Sequence, residues 1–358
     1  MSAIRVLVVD DSRVVRDVYR SVLAREPGIE IIGEAENPFE ARDQILALKP
    51  DVLTLDMEMP RMDGLTFLRA LMTQRPVPTV VVSSITERGG ALAIEAFTAG
   101  AVEVLQKPTK RAELLALGPE LARAIRAAGA ARLRMGTATA QPSQSSGSAP
   151  ATATSRVLAA PAGLRTDRIL AIGASTGGTV AVERLLSALP PRMPPILVTQ
   201  HMPPGFTRAF AERLDRLLPL TVREAEDGAP LEPNTVLIAP GGKHLLLKSS
   251  PGRGFFAEVK EGPRVSGHCP SVDVLFRSVA RAAGTRALGV ILTGMGRDGA
   301  RGLKELRDAG GVTFAQDEAS SVVFGMPKAA QEEGAVDACT PLDGIPGALL
   351  GALTRAAA

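Results

Sequence analysis

The sequence predicts an α/β protein built from two doubly wound, mostly parallel sheets. Short apolar runs rich in Val, Ile and Leu alternate with amphipathic segments over residues 1–126. The alternation returns after about residue 165, now with two runs typical of an antiparallel hairpin. Residues 136–155, which lie between these regions, contain neither a charge nor a large apolar group, and this indicates two domains joined by a linker.

The first region shows a (βα)5 pattern. Buried parallel strands are near-continuous apolar runs, whereas helices carry an apolar face every three to four residues. The predicted strands are Ile4–Asp10, Ile29–Ala35, Val52–Asp56, Thr79–Ser84 and Val102–Lys107. The predicted helices are Ser12–Arg25, Pro38–Leu48, Gly64–Gln74, Gly89–Ala99 and Arg111–Ala127.

The linker is predicted from composition. Residues 136–155 read GTATAQPSQSSGSAPATATS and cannot bury enough apolar surface to offset the entropy lost on ordering. We therefore expect one domain over residues 1–126, a flexible linker over 127–164 and a second domain over 165–358.

The second region is also α/β. Its predicted strands are Arg168–Ile172, Ile196–Gln200, Thr235–Ala239, Ala287–Leu292 and Val312–Ala315. A hairpin is expected where His244–Lys248 and Phe255–Lys260 flank Ser249–Gly254, and a helix over Val180–Leu189.

Composition excludes several classes of protein. A formal charge of +3, without a basic stripe or stacking aromatics, argues against nucleic-acid binding. The two cysteines lie far apart and fit a reduced protein without a disulfide framework. No signal-peptide layout and no apolar run of about 18–20 residues is present, so we expect a cytoplasmic monomer that does not insert into a membrane.

Acidic residues follow the predicted strands of the first region. Asp10 and Asp11 close the first strand and Asp56 closes the third, while Ser83 and Lys107 end the fourth and fifth. Because carboxyl ends of parallel strands share one edge, these carboxylates need a hard cation, for which Mg²⁺ is the usual choice. A helix-cap or turn role explains any single Asp, but it does not explain the set.

This pattern resembles the response-regulator receiver family, through VVDDS, TLDMEMPRMDG, VSS and QKP. The resemblance implies a flavodoxin-like fold with Asp56 as phosphoryl acceptor. It further implies that Asp10, Asp11, Asp56 and the backbone carbonyl of Glu58 hold Mg²⁺, and that Ser83 and Lys107 bind phosphoryl oxygens. One departure is Val104, which stands where many receivers carry an aromatic switch residue.

The second region places a serine on a strand-to-helix turn. Ser175 lies within IGASTGGT, which matches the nucleophile pattern G-x-S-x-G. His201 in QHMPPGFT and Asp298 in LTGMGRDG follow two other predicted strands. A nucleophile, a base and an orienting carboxylate are therefore expected at one edge of the sheet. Their chain order, Ser–His–Asp, differs from the Ser–Asp–His order of the α/β-hydrolase fold.

These motifs resemble the catalytic domain of the chemotaxis protein-glutamate methylesterases, the CheB family, over about residues 166–350. APGGKH, HCPSVDVLF and AQDEASSVVFGMP add to the likeness. The resemblance implies hydrolysis of glutamyl methyl esters on chemotaxis receptors and deamidation of receptor glutamines, with no cofactor in this domain. It assigns catalysis to Ser175, His201 and Asp298, and oxyanion or substrate binding to Thr176 and Met295.

Three other polar residues near these motifs are not expected to be catalytic. His244 and His268 are expected to be structural or substrate-lining. Cys269 stands where the family often has Arg, which leaves substrate preference open.

Two other functions would fit parts of the sequence. G-M-G-R-D-G at residues 294–299 matches the dinucleotide fingerprint and would indicate an oxidoreductase domain, but Asp298 would repel a pyrophosphate. A non-enzymatic regulator acting as a docking module would leave the strand-end Ser, His and Asp unexplained.

The fusion of a switch to a hydrolase predicts coupling between the two domains. We expect the unphosphorylated first domain to cover the catalytic edge, and phosphorylation of Asp56 by a histidine kinase to shift that equilibrium.

Overall fold

A computed structural model describes residues 3–83, 87–108, 110–131 and 157–354. The predicted linker over 136–155 lies outside the described residues. Among the described helices, none combines the length and the apolar character needed to span a membrane.

The N-terminal half contains a five-stranded parallel sheet in the order β2-β1-β3-β4-β5. Its strands are β1 (Ile4–Val9), β2 (Ile29–Ala35), β3 (Val52–Asp56), β4 (Thr79–Ser83) and β5 (Glu103–Gln106). Its helices are α1 (Arg13–Leu23), α2 (Pro38–Leu48), α3 (Gly64–Gln74), α4 (Glu87–Thr98), α5 (Arg111–Ala116) and α6 (Gly118–Gly129).

The C-terminal half contains a seven-stranded parallel sheet in the order β14-β13-β12-β6-β7-β9-β8 and a separate antiparallel pair, β10-β11. Its strands are β6 (Ile169–Ala174), β7 (Ile196–Gln200), β8 (Thr221–Glu224), β9 (Thr235–Ile238), β10 (His244–Ser250), β11 (Gly254–Lys260), β12 (Ala287–Ile291), β13 (Val312–Gln316) and β14 (Ala338–Thr340). Its helices are α7 (Gly178–Ser187), α8 (Phe206–Leu217), α9 (Val272–Ala283), α10 (Ala300–Asp308), α11 (Met326–Glu332) and α12 (Ile345–Thr354).

The predicted α/β class, both parallel sheets and the hairpin are confirmed. The prediction of one helix over Arg111–Ala127 is wrong, because the chain forms α5 and α6 with a break at Leu117. Pro119, in the first turn of α6, has no amide hydrogen to continue a helix from α5. The edge strands β8 and β14 were missed, since they are short and partly exposed and give little apolar signal.

The central strands are buried on both faces, as their apolar runs predict. All five residues of β3 and all six of β6 are buried. Local polar groups set where helices begin: Asn37 caps α2, Asp63 caps α3 and Ser271 caps α9 through their side-chain oxygens.

The two halves pack against each other through helices. One apolar cluster continues from Ile94 and Phe97 of α4 to Phe206 and Phe210 of α8. A Cβ atom at Gly90 would lie 3.4 Å from the Ala209 Cβ, about van der Waals distance, so α4 and α8 are in direct contact here. The receiver-like half is therefore docked on the second domain on the side where α8 begins.

Candidate active sites

The first candidate site is an acidic cluster at the carboxyl edge of the N-terminal sheet. Asp10 and Asp56 are buried and Asp11 is exposed, and one carboxylate oxygen from each lies within 4.8 Å of the others. Three converging carboxylates form the all-oxygen donor set that suits a hard divalent cation. The cluster predicted from three strand ends is therefore present and could hold a metal ion.

Lys107 joins this cluster from the end of β5. Its Nζ lies 2.6 Å from Asp56 Oδ2 and 2.8 Å from Asp10 Oδ2. Burial, followed by the charge of Asp10, raises the pKa of Asp56 to about 6, although Lys107 opposes that rise. One cation thus compensates two buried carboxylates only in part, and a further positive charge would be stabilised there.

Two neighbouring features shape the acidic cluster. Ser83 Oγ is buried and has no hydrogen-bond partner among the described residues, which suits a donor for an added anionic group. Gly64 is sterically required, because a Cβ atom there would lie 2.2 Å from the Asp56 carbonyl oxygen. Val104 is buried in the apolar core and carries no aromatic ring.

The second candidate site lies at the middle of the C-terminal sheet, where β6 separates β7 from β12. The connection after β6 leads to β7 and the connection after β12 leads to β13 on the other side, so the two loops diverge and open a crevice at the carboxyl ends of β6 and β12. Ala174 pairs with Gln200, and the next residues are Ser175 and His201. The Ser175 amide donates to the Thr293 carbonyl at 3.0 Å, which brings the loop after β12 to the same place.

Asp298 is held at the N-terminus of α9. Its Oδ2 accepts from the Val272 amide at 2.7 Å, and its Oδ1 accepts from Ser271 Oγ at 2.8 Å and from the Asp273 amide at 3.2 Å. Burial would raise the pKa of Asp298, but these donors and His201 hold that pKa below its ordinary value. The free amides of a helix start therefore keep this carboxylate ionised.

His201 bonds to Asp298 through one ring nitrogen. Its Nε2 lies 2.8 Å from Asp298 Oδ2, whereas Nδ1 is buried without a hydrogen-bond partner among the described residues. No hydrogen bond joins Ser175 Oγ to His201 within the described part of the chain. Nucleophile–base contacts often tighten only when substrate binds. Nδ1 is therefore the ring atom of His201 that has no hydrogen-bond partner among the described residues.

A glycine sets the approach of the β12 loop to Ser175. A Cβ atom at Gly294 would lie 2.7 Å from the Ser175 Cβ and 2.4 Å from the Met326 sulfur. The next residue is Met295, so its backbone lies close in the chain to the point where the β12 loop meets Ser175. Thr176 is almost fully buried, and its carbonyl accepts from Thr293 Oγ1 at 3.0 Å.

The N-terminal domain covers this second site. Glu103 Oε2 of β5 accepts a hydrogen bond from Thr176 Oγ1 at 2.7 Å. A cavity of about 250 Å³ lies between the domains and reaches His201. Both domains contribute charged or polar residues to its wall, among them Glu103, Gln106, Glu120, Arg123, Arg264, His268 and Cys269.

Sequence reasoning missed three parts of this site: the α9 donors to Asp298, the steric role of Gly294 and the contact of Glu103 with Thr176. Only Ser271 had a signal, as a capping residue before the apolar run Val272–Phe276. His244 has a structural role, because its Nδ1 accepts from the Ser271 amide and its Nε2 lies 3.0 Å from the Pro263 carbonyl oxygen.

The loop over residues 294–299, which carries the dinucleotide-like glycine pattern, makes other contacts within the protein. Asp298 uses both carboxylate oxygens within the protein, at the point where such a fingerprint would receive a pyrophosphate. The oxidoreductase alternative therefore has no support from the geometry.

An acidic (βα)5 domain docked on an α/β domain that carries Ser, His and Asp at its switch point defines a response regulator joined to a hydrolase-type domain. The chain belongs to the CheB methylesterase family. The family model for CheB methylesterase matches residues 170–349, and the model for the response regulator receiver domain matches residues 6–117.

Relatives match nearly the whole chain. A protein-glutamate methylesterase/protein-glutamine glutaminase of Anaeromyxobacter dehalogenans is 55% identical over 96% of this chain and 93% of its own length. One from Geobacter metallireducens is 49% identical over 96% and 98%. The crystal structure of the Thermotoga maritima CheB methylesterase catalytic domain matches with a TM-score of 0.50 and 42% identity, covering 51% of this chain and 97% of that one. The non-enzymatic alternative is accordingly not favoured.

Proposed function

We propose that this protein is a phosphorylation-regulated serine hydrolase that demethylates glutamyl methyl esters and deamidates glutamines on chemotaxis receptors. The observation that carries the proposal is the 2.8 Å contact between His201 Nε2 and Asp298 Oδ2 beside Ser175. The names of the relatives, which state both activities, support it.

The first half-reaction forms an acyl-enzyme. Ser175 Oγ attacks the γ-carbonyl carbon of the ester while its proton passes to His201 Nδ1. Asp298 fixes the ring and stabilises the imidazolium. The tetrahedral oxyanion lies against backbone amides, with Met295 and Thr176 as candidates, and each such donor typically contributes about 10²–10³ in rate. Collapse breaks the bond to methoxide, which takes the proton from His201 and leaves as methanol.

The second half-reaction releases glutamate. His201 now accepts a proton from water, whose oxygen attacks the acyl carbon, and then returns that proton to Ser175 Oγ. For a glutamine substrate the same steps apply, with ammonia as the first leaving group.

In the receiver, Asp56 is the proposed phosphoryl acceptor. Asp10, Asp11, Asp56 and the Glu58 carbonyl would hold Mg²⁺, which neutralises charge on the transferring phosphoryl group when bound. Lys107 and Ser83 would donate to the phosphoryl oxygens. The added dianion would replace Asp56 as the anionic partner of Lys107, at the end of the strand that contacts Thr176.

The position of β5 explains how the receiver would regulate the hydrolase activity. Glu103 and Arg123 line the cavity that reaches His201. The docked receiver would therefore block the entry of a receptor helix. Phosphorylation would favour an undocked arrangement. The proposed partners are methyl-accepting receptors as substrate and a chemotaxis histidine kinase as phosphodonor, which places the protein in the cytoplasm. A monomer, with domains over 1–126 and 165–358, remains part of the proposal.

The test is methanol release from a methylated receptor by the full chain, with and without a small phosphodonor and Mg²⁺. We expect release that the phosphodonor increases. Ser175→Ala should lower turnover by about 10⁶, and Asp56→Ala should retain basal release but lose the increase. Release that persists in Ser175→Ala would reject the serine mechanism.

A further inference from the structure

His201 is in contact with a second imidazole that the proposed mechanism does not use. The rings of His201 and His268 are stacked with their centroids 3.7 Å apart and their planes 6° from parallel. Among the described residues, the ring of His201 makes one hydrogen bond, at Nε2. One hydrogen bond at a single ring nitrogen restricts rotation of an imidazole less than that bond combined with a second ring stacked on its face.

The backbone presents His268 rigidly. The residue lies in the segment between β11 and α9, where the His268 amide donates to the Val265 carbonyl and the Val265 amide donates to the His268 carbonyl, both at 3.0 Å. This reciprocal pair closes a tight turn through Gly267, whose φ of +85° favours glycine. The main chain at His268 is therefore fixed by its own hydrogen bonds.

His268 is uncharged at neutral pH. Burial, followed by the charges of His201 and Arg123, lowers the pKa of His268 to about 3. A ring that stays neutral cannot serve as a second acid or base there. It can, however, offer its π-face to a cation. The charged or titratable groups around the two rings include Asp298, Arg123, Arg264 and Glu103.

We propose that His268 is a positioning residue for His201, which it holds in the ring orientation that directs Nε2 to Asp298 and Nδ1 toward Ser175. The inference rests on the proposed function. In the resting enzyme the stack limits rotation of the His201 ring. After proton transfer from Ser175, the imidazolium faces a neutral ring and meets no like charge from that side.

The experiment compares His268→Ala with His268→Phe in the full chain activated by a small phosphodonor. Alanine removes the stacked face, whereas phenylalanine keeps a flat neutral ring. We expect His268→Ala to lower kcat by roughly 10- to 100-fold with little change in KM, because small errors in placing a base have effects of that size. His268→Phe should recover most of kcat. Thermal unfolding of both variants gives the folded fraction to which kcat is referred.

A spectroscopic readout tests the same point without substrate. The proton on His201 Nε2 should give a downfield imidazole N–H resonance, assigned by its loss in His201→Gln. It should broaden in His268→Ala and persist in His268→Phe. This measurement separates failure of the inference from failure of the proposed function, since it needs no esterase activity.

Three results would overturn the proposal. The first is an unchanged kcat in His268→Ala. The second is an equal loss of kcat in both variants with the resonance intact, which would make His268 a substrate-contacting residue. The third is a change confined to thermal stability, which would make it a packing residue.

Discussion

Glu103 of the receiver and Thr176 of the catalytic domain are joined by a 2.7 Å hydrogen bond, although 73 residues separate them in the chain. Thr176 follows the proposed nucleophile directly, so a receiver strand reaches the centre of the hydrolase site. The side chain delivered there is a glutamate, which is also the side chain that the proposed reaction releases. Burial raises the pKa of Glu103, while Arg123 and the bond from Thr176 counteract that rise.

Reversing the charge at this contact should release the catalytic domain. Glu103→Lys cannot accept from Thr176 and places a cation beside Arg123. Losing one partner of a buried charged contact typically costs about 2–5 kcal/mol. We expect methanol release by the unphosphorylated full chain to rise at least about tenfold, which corresponds to roughly 1.4 kcal/mol.

The matched control for that experiment is Glu113→Lys, which changes the receiver charge equally but at an exposed side chain of α5. Its basal activity should equal that of the wild type. A Glu103→Lys protein that stays at wild-type basal activity, yet responds normally to a phosphodonor, would show that this contact does not restrain the enzyme.

The raised pKa of Asp56 gives a stability prediction. Because the pKa is about 6 in the folded protein and 3.8 ordinarily, the folded state binds this proton more tightly. The ionised carboxylate therefore destabilises the fold at pH 7.5 by about 3 kcal/mol, and the penalty disappears as pH falls through 6 toward 4. Without Mg²⁺, Asp56→Asn should unfold at a higher temperature than the wild type at pH 7.5, with no difference near pH 4.

Addition of Mg²⁺ should reverse that order at pH 7.5. The cation stabilises the wild type by binding its folded state, and Asn offers no charge to bind it. Thermal unfolding with and without MgCl₂ gives both comparisons. Identical transitions of the two proteins at pH 7.5 without Mg²⁺ would mean that Lys107 compensates Asp56 fully.

Asp298→Asn should disable the base. The carboxylate accepts four hydrogen bonds, two on each oxygen, and an amide can present only one oxygen to them. Its NH₂ group would face either His201 or Ser271, and in both placements the negative charge that stabilises the imidazolium of His201 is lost. We expect kcat to fall by about 10³–10⁴.

The control for Asp298→Asn is the pH dependence of the loss in kcat. The donors hold the pKa of Asp298 below its ordinary 3.8, so its contribution to stability is present above that pH and is lost only as pH falls through the lower folded value. The loss of kcat should thus be constant from pH 6 to pH 9. A loss that vanishes at high pH would assign a different role to Asp298.

Gly294→Ala tests whether close packing places the nucleophile. The added methyl would lie 2.7 Å from the Ser175 Cβ, so Ser175 or the β12 loop must shift. We expect kcat to fall by about 10²-fold, as misplacement near a reacting atom commonly causes. Gly347→Ala in α12 meets no atom within 4 Å and should leave kcat unchanged while stabilising the helix by up to about 1 kcal/mol. Equal kcat values for the two variants would contradict the placement argument.

Strand-end position was a strong guide to both candidate sites. Asp10, Asp56 and Lys107 meet because their strands β1, β3 and β5 lie in one parallel sheet, whose carboxyl ends share an edge. The same reasoning predicted that His201, which follows β7, and Asp298, in the loop after β12, lie at one edge of the sheet. In the structure they are in direct contact. The sequence could not predict which ring nitrogen His201 would use, because that depends on where α9 begins relative to Asp298.

The amino-acid sequence by itself determined the alternation of strands and helices and the resemblance to the family. It also determined the acidic residues of the first domain and the Ser, His and Asp motifs of the second. These features are local, because apolar periodicity and the residue types at strand ends depend only on residues that are close together in the chain. Tertiary structure alone decided that His268 covers His201, that α9 amides hold Asp298 and that Glu103 reaches Thr176. Each of those contacts joins irregular loops or separate domains, and their formation depends on packing between segments that no sequence period links.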